Sequence, residues 1–169
     1  LDNKLARIAM EKVVGVHRDA PMPTARGESL HKWLKKRSAP TQPRTRGALV
    51  YFHGCAGGYF EVDAAKKAIE VLEHLGYEVI VPEQGCCGLA EQSNGLFEKA
   101  SASVRRLVDQ LRAPGTELTI ISTAGSCTGM LKHEAHQILG IHDPELMDVG
   151  TRIREISEFL MELYEAGEL

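Results

Sequence analysis

Two adjacent cysteines bracketed by glycines, Gly85-Cys86-Cys87-Gly88, are the strongest chemical signal in this sequence, which holds four cysteines in all. The other two stand in His53-Gly54-Cys55 and in Gly125-Ser126-Cys127. Thiolate is a soft ligand, and four thiolates select zinc or an iron–sulfur centre over magnesium or calcium. Zinc fingers and ribbons draw ligands from short C-x-x-C-type knuckles, and bacterial ferredoxins from closely spaced cysteine runs. Neither spacing occurs here. A metal centre on Cys55, Cys86, Cys87 and Cys127 must therefore be assembled by the tertiary fold. An iron–sulfur cluster is the first expectation and zinc the alternative.

Two plainer readings compete. Structural disulfides belong to short secreted chains that cannot build a core. This chain has 169 residues, 43% of them apolar, and no stretch that reads as a secretory signal. Neighbouring cysteines also bridge each other only through a strained ring. Inert buried thiols would account for one or two of the four, since free cysteine is often buried. They would not account for all four following strand-like runs.

The elements that must position the cysteines can be read from periodicity. Short β-branched runs at 48–52, 77–81 and 118–122 each lead directly into a cysteine segment. Helical spacing follows the first near 62–75, the second over about 98–112 and the third near 130–139. Gly76 and Pro114-Gly115 are the stop signals between units. After Asp143-Pro144 a last amphipathic helix is expected, with Ile153, Ile156, Leu160 and Leu163 on one face. Alternating strands and helices of these lengths predict an α/β fold with a small parallel sheet of about three strands and right-handed crossovers. In such sheets ligands bind outside the carboxyl ends of the strands, which is where all four cysteines fall. Gly54, Gly57, Gly58, Gly85, Gly88, Gly125 and Gly129 are expected to supply positive φ or close backbone approach there.

The chain divides into an N-terminal helical segment with a basic linker, 1–46, and a cysteine-rich domain, 47–169. In the first part Asp2 can cap a helix running to about Val14, with Leu5, Ile8, Ala9 and Val13 on one face. A second short helix is expected over 29–36. Lys35, Lys36, Arg37, Arg44 and Arg46 then read as a solvated linker. The net charge of −3 gives no electrostatic case for nucleic acid or an anionic membrane surface. No apolar stretch approaches the roughly 18–20 residues of a membrane span. The first residue is Leu1, not Met, as expected of a fragment or a processed product.

These residues carry a family resemblance. His53-Gly54-Cys55, then Cys86-Cys87-Gly88 with Asn94-Gly95, then Ser126-Cys127-Thr128 with Leu131-Lys132 and Glu134, together resemble one cysteine-rich "CCG" domain. That family occurs in heterodisulfide reductases, glycolate oxidase iron–sulfur subunits and lactate-utilisation proteins. The chain most resembles the first such domain in the cysteine-rich subunit of the anaerobic glycerol-3-phosphate dehydrogenase family. There a stretch like Met10 to Val16, with Ala20-Pro21 and Pro23, precedes the domain.

The resemblance implies an electron-transfer subunit holding an iron–sulfur cluster, [4Fe–4S] in kind, with zinc as the alternative. It implies a flavoprotein dehydrogenase partner and a membrane-anchoring, quinone-side partner. The location implied is cytoplasmic, peripheral at the inner face of the cytoplasmic membrane. The full family pattern often ends in C-x-x-C, whereas Thr128-Gly129-Met130 follows Cys127 here, which leaves a donor set of four thiolates. Relatives also carry a ferredoxin-like domain and a second cysteine-rich domain, so the sequence reads as one module of such a protein. Disulfide chemistry at Cys86-Cys87, as in the heterodisulfide reductase relatives, is the rival redox reading.

His53, two residues before Cys55, is the candidate for a group beside the metal site. His133, His136 and Glu83 read as surface groups. The sequence shows neither a Gly-x-Ser-x-Gly elbow nor a dinucleotide fingerprint. No dehydrogenase activity is expected of this chain alone.

Overall fold

The structure is a computed structural model that describes residues 3–21, 27–38 and 43–169. It contains a four-stranded sheet in the order β2-β1-β3-β4, with β1 at Ala48–Phe52, β2 at Glu78–Ile80, β3 at Ile120–Ser122 and β4 at Ile153–Glu155. Every pairing is parallel: Val50 lies opposite Ile80 on one side and Ile120 on the other, and Ile120 lies opposite Ile153. A parallel sheet buried on both faces needs apolar residues in both phases of the pleat, and β1 supplies them. Leu49 and Tyr51 pack into a core with α4 (Val62–His74) and α10 (Ile156–Glu165). Val50 and Phe52 pack into the opposite core with α6 (Phe97–Arg112) and α9 (Pro144–Arg152). The architecture is α/β in three layers.

One expectation needs correcting. The apolar series Ile153, Ile156, Leu160 and Leu163 does not ride on one helix. Pro144 opens α9 in its first turn, and α9 stops at Arg152. Ile153 then turns extended, with φ −79° and ψ 134°, and is fully buried beside β3. Glu155 ends this fourth strand and starts α10 with a capping box to Glu158. Pairing with the open edge of β3 outweighs the helical period, because an unpaired buried edge would strand backbone donors and acceptors.

The N-terminal segment contributes α1 (Lys4–Val14) and α2 (Leu30–Lys36). The cap of α1 is Asn3, whose side chain accepts from the Leu5 amide; Asp2, Met22 and Pro23 lie outside the described residues. Leu5 and Val13 are 76% and 83% exposed and Ala9 is exposed too, while Ile8 is half-buried, so the expected apolar face of α1 is largely open among the described residues. Leu30 of α2 instead enters the core with no exposure. Arg37 holds α2 down through a bidentate pair to Glu73 at 2.7 and 2.8 Å, with its guanidinium over Trp33. Arg44 pairs with Glu78, and Arg46 reaches Glu168. These arginines are tied to the domain, not free in solvent.

Candidate metal centre

The strand order places the reversal of chain direction across the sheet between β1 and β3, and the crevice outside their carboxyl ends is the standard ligand position of such a fold. β1 runs through His53 into α3 (Gly54–Tyr59), which carries Cys55. β3 runs into α7 (Gly125–Gly129), which carries Cys127. The segment after β2 carries Cys86 and Cys87 into α5 (Leu89–Ser93). Cys55 and Cys127 thus sit on short helices, where open glycine loops were expected. Of the seven glycines around the cysteines, only Gly54 (φ 59°) and Gly88 (φ 82°) use positive φ. Gly57 and Gly58 serve close approach: a Cβ on Gly58 would stand 2.9 Å from the His53 ring.

All four cysteines line one open cavity of about 430 Å³ at this edge of the sheet, together with His53, Glu61 and Thr123. All four are free thiols; Cys87 and Cys127 are buried, Cys86 is half-buried and Cys55 exposed. The Sγ atoms of Cys87 and Cys127 are 3.1 Å apart. Cys55, Cys86 and Cys87 all act electrostatically on Cys127. Among the described residues, no three Cys, His, Asp or Glu side chains converge as ligands for one ion. The donor chemistry fits a soft metal centre, and the cavity has room for one. A single water needs only about 10–15 Å³ of such space.

Glutamine side chains join the segments. Gln84 Oε1 accepts from the His53 amide at 2.8 Å and its Nε2 donates to the Tyr51 carbonyl at 3.0 Å. This side chain continues the β1–β2 ladder past the last strand pair and fixes the Cys55 segment against the Cys86 segment. Gln110 of α6 accepts from the Gly85 amide at 2.8 Å. Sequence reasoning missed both. The one signal was for Gln84, a polar residue directly before Gly85 in the segment that follows β2; Gln110 lies within α6 and gives none.

His53 lines the cysteine cavity but does not offer a free Nδ1, which is engaged by the Gly54 carbonyl. Burial holds its imidazole below the usual pKa, so it stands neutral. Its other side borders a second cavity of about 370 Å³ with Ser29, His31, Tyr59 and Glu83. Glu83 and His133 are exposed, as expected, whereas His136 is half-buried, with its ring centroid 4.5 Å from that of His142.

The thiol pair is electrostatically distinct. The hydrogen bond from Cys127 pulls the Cys87 pKa down to about 7, against the opposing effect of burial. The same contact, followed by burial, pushes Cys127 upwards. Burial also raises Cys86. The pair behaves as one thiolate and one thiol sharing a proton. In the metal-free chain, ultraviolet thiolate absorbance should show one proton leaving near pH 7. Cys127→Ala removes the donor and should move that step up towards the ordinary thiol range of about 8–9. The folded pKa of Cys87 is the depressed one, so the stability this thiolate contributes is complete above the unfolded thiol pKa and is lost as pH falls through about 7; the raised Cys127 works the other way, opposing folding as pH rises above the unfolded thiol pKa. A wild-type step already in the ordinary range would show that no proton is shared.

Residues 49–132 match the profile of the CCG family, described as a cysteine-rich domain. This part of the chain is a cysteine-rich domain of that family, the class of protein that the fold and the thiol site define. The chain is similar to lactate utilization protein A of Oceanobacillus iheyensis, 29% identical over 70% of this chain and 48% of that protein. It is 28% identical to a subunit of the anaerobic glycerol-3-phosphate dehydrogenase of Escherichia coli K12, over 71% of this chain and 31% of that one. Lactate utilization protein A of Geobacillus thermodenitrificans is 30% identical over 65% of this chain and 46% of its own length. The matched part of the chain thus spans half or less of the length of these relatives. No solved structure matches it.

Proposed function

We propose that this chain is an iron–sulfur electron-transfer module of a respiratory dehydrogenase, with Cys55, Cys86, Cys87 and Cys127 holding a [4Fe–4S]-type cluster. The observation that carries the reading is the meeting of four thiols from three chain segments in one cavity at the carboxyl edge of a parallel sheet. When bound, the cluster would supply one-electron transfer. The protein's own contribution is to bury Cys87 and Cys127 at the back of the cavity, to lock the Cys55 and Cys86 segments together through Gln84, and to keep neutral His53 beside them.

Family membership supports a redox role, and the name of one relative makes that relative part of a dehydrogenase. On that basis a flavoprotein partner would deliver electrons, and a quinone-side partner at the inner face of the cytoplasmic membrane would take them. Among the described residues no helix is long and apolar enough to cross a membrane, so such a location would be peripheral. A one-electron centre cannot accept a hydride from an alcohol, so substrate oxidation would belong to the partner. A thiol–disulfide site is the second reading, supported by the close approach of Cys87 and Cys127.

The test is elemental analysis with an absorption spectrum after anaerobic purification and anaerobic reconstitution with iron and sulfide. Iron and acid-labile sulfide with broad visible absorption are expected. Stoichiometric zinc in a colourless protein that refuses iron would overturn the reading.

A further inference from the structure

Gln92 is one of the few buried polar residues among those described, only 9% exposed. Its Nε2 donates to Glu134 Oε2 at 3.0 Å. Gln92 sits on α5, the helix that begins just after Cys87 and Gly88. Glu134 closes a π-helical turn, Met130–Glu134, that directly follows the Cys127 helix and runs on into α8 (Ala135–Gln137). Its other carboxylate oxygen, Oε1, folds back over α7, 4.0 Å from where a Cβ on Gly129 would stand. π turns are rare, and they gather at functional positions because the extra residue re-aims the side chains after it. Here the turn delivers Glu134 to Gln92.

We infer that Gln92 and Glu134 are positioning residues for the thiol site: their hydrogen bond braces α5 against the helix after β3 and so sets the spacing of Cys87 and Cys127. Two observations converge on this. The bond joins, side chain to side chain, the two elements that directly follow the buried thiols: α5 after Cys87, and the π turn after the Cys127 helix. It is part-buried and accepted by a carboxylate, the kind that contributes most. The brace concerns the site on which the iron–sulfur reading rests, but its test uses the metal-free chain. It can therefore fail while that reading stands.

A second feature makes the proposal sharper. Gln92 Oε1 is buried without a hydrogen-bond partner. In Glu134→Gln the new amide can accept from Gln92 Nε2 and donate back to that orphaned oxygen. The brace should survive this substitution although the negative charge is gone. Glu134→Ala removes it. Gln92→Leu removes it from the other side with an apolar side chain of similar size, and leaves the half-buried Glu134 carboxylate to find water.

The readout is closure of the Cys87–Cys127 disulfide in the metal-free chain carrying Cys55→Ser and Cys86→Ser. The azo compound diamide is the oxidant. Each closure forms one S–S bond, and the two protons and two electrons released reduce the azo bond to a hydrazine. Peptide mass mapping follows the rate, and circular dichroism checks the fold. Glu134→Ala and Gln92→Leu should slow closure by at least about tenfold, and Glu134→Gln should stay within about twofold of the parent. If Glu134→Ala does not fold, Gln92→Leu against Glu134→Gln decides alone. Unchanged closure in Gln92→Leu would overturn the brace. So would a Glu134→Gln chain as slow as the two apolar variants, because charge and not the hydrogen bond would then be at work.

Discussion

Cys87→Ser will come out of anaerobic reconstitution with almost no iron, while His53→Ala keeps most of it. Cys87 is 3% exposed and lies against Cys127 at the back of the cavity, where no water can replace a lost ligand easily. A structural thiolate site contributes on the order of 10 kcal/mol or more. One ligand in four would carry roughly 3 kcal/mol of that, about a hundredfold or more in retention. His53 borders the same cavity, but its Nδ1 is engaged by the Gly54 carbonyl. Its loss should cost about tenfold, the lower end for a group beside a metal ligand. Serine also buries a hydroxyl in an apolar cluster, so Cys87→Ala is the control that removes the ligand without that penalty. Iron and sulfide per chain are the measurement. Equal retention in Cys87→Ser and His53→Ala would show that the thiols are not the ligands.

The convergence of the four thiols was legible because three β-branched runs each end at a cysteine segment, and parallel strands bring their carboxyl ends together. β1 shows why this worked: Ala48–Phe52 is apolar in both phases, which only a strand covered on both faces requires. β4 shows why it stopped working. Three residues are too few for a period to register, and Ile153 fits the helical series of α10 as well as it fits a strand. What decides is the vacant edge of β3, a tertiary fact.

The short helices of the site were illegible for a related reason. α3 is Gly54-Cys55-Ala56-Gly57-Gly58-Tyr59, and three glycines argue against a helix at about 1 kcal/mol each. The close approach of His53 explains one of them, since its ring leaves no room for a Cβ on Gly58. Local preference gives way to packing around the site, as happens at functional positions. Gln84 and Gln92 escaped for a simpler reason. Their amides act on partners far along the chain, Tyr51 and Glu134 here, and no local spacing announces them.

Gly88→Ala should be the most damaging single methyl that can be added near the site, and Gly95→Ala is its internal control. Both glycines have left-handed backbone, at φ 82° and 75°. An alanine at either pays the left-handed strain of about 1–2 kcal/mol, part of which is recovered from the stiffer unfolded chain. Around Gly95 nothing lies within 4 Å of the new carbon, so Gly95→Ala should cost about 1 kcal/mol or less. At Gly88 the methyl would stand 2.7 Å from the Ala100 carbonyl oxygen and 3.2 Å from the Ala100 Cα. Those atoms are backbone within α6 and cannot swing aside. The added overlap should bring the total to about 3–4 kcal/mol. The only relief is for the Cys86-Cys87 turn to lift off α6, which pulls against the Gln110 bond to Gly85 and carries Cys87 away from Cys127. Denaturant unfolding of the metal-free variants gives the first quantity, and iron retention gives the second. Gly88→Ala should lose both stability and iron, Gly95→Ala neither to any large degree. Two variants of equal stability would mean that left-handed strain alone governs these positions, and that the close packing of Gly88 on α6 does not hold the cysteine pair in place.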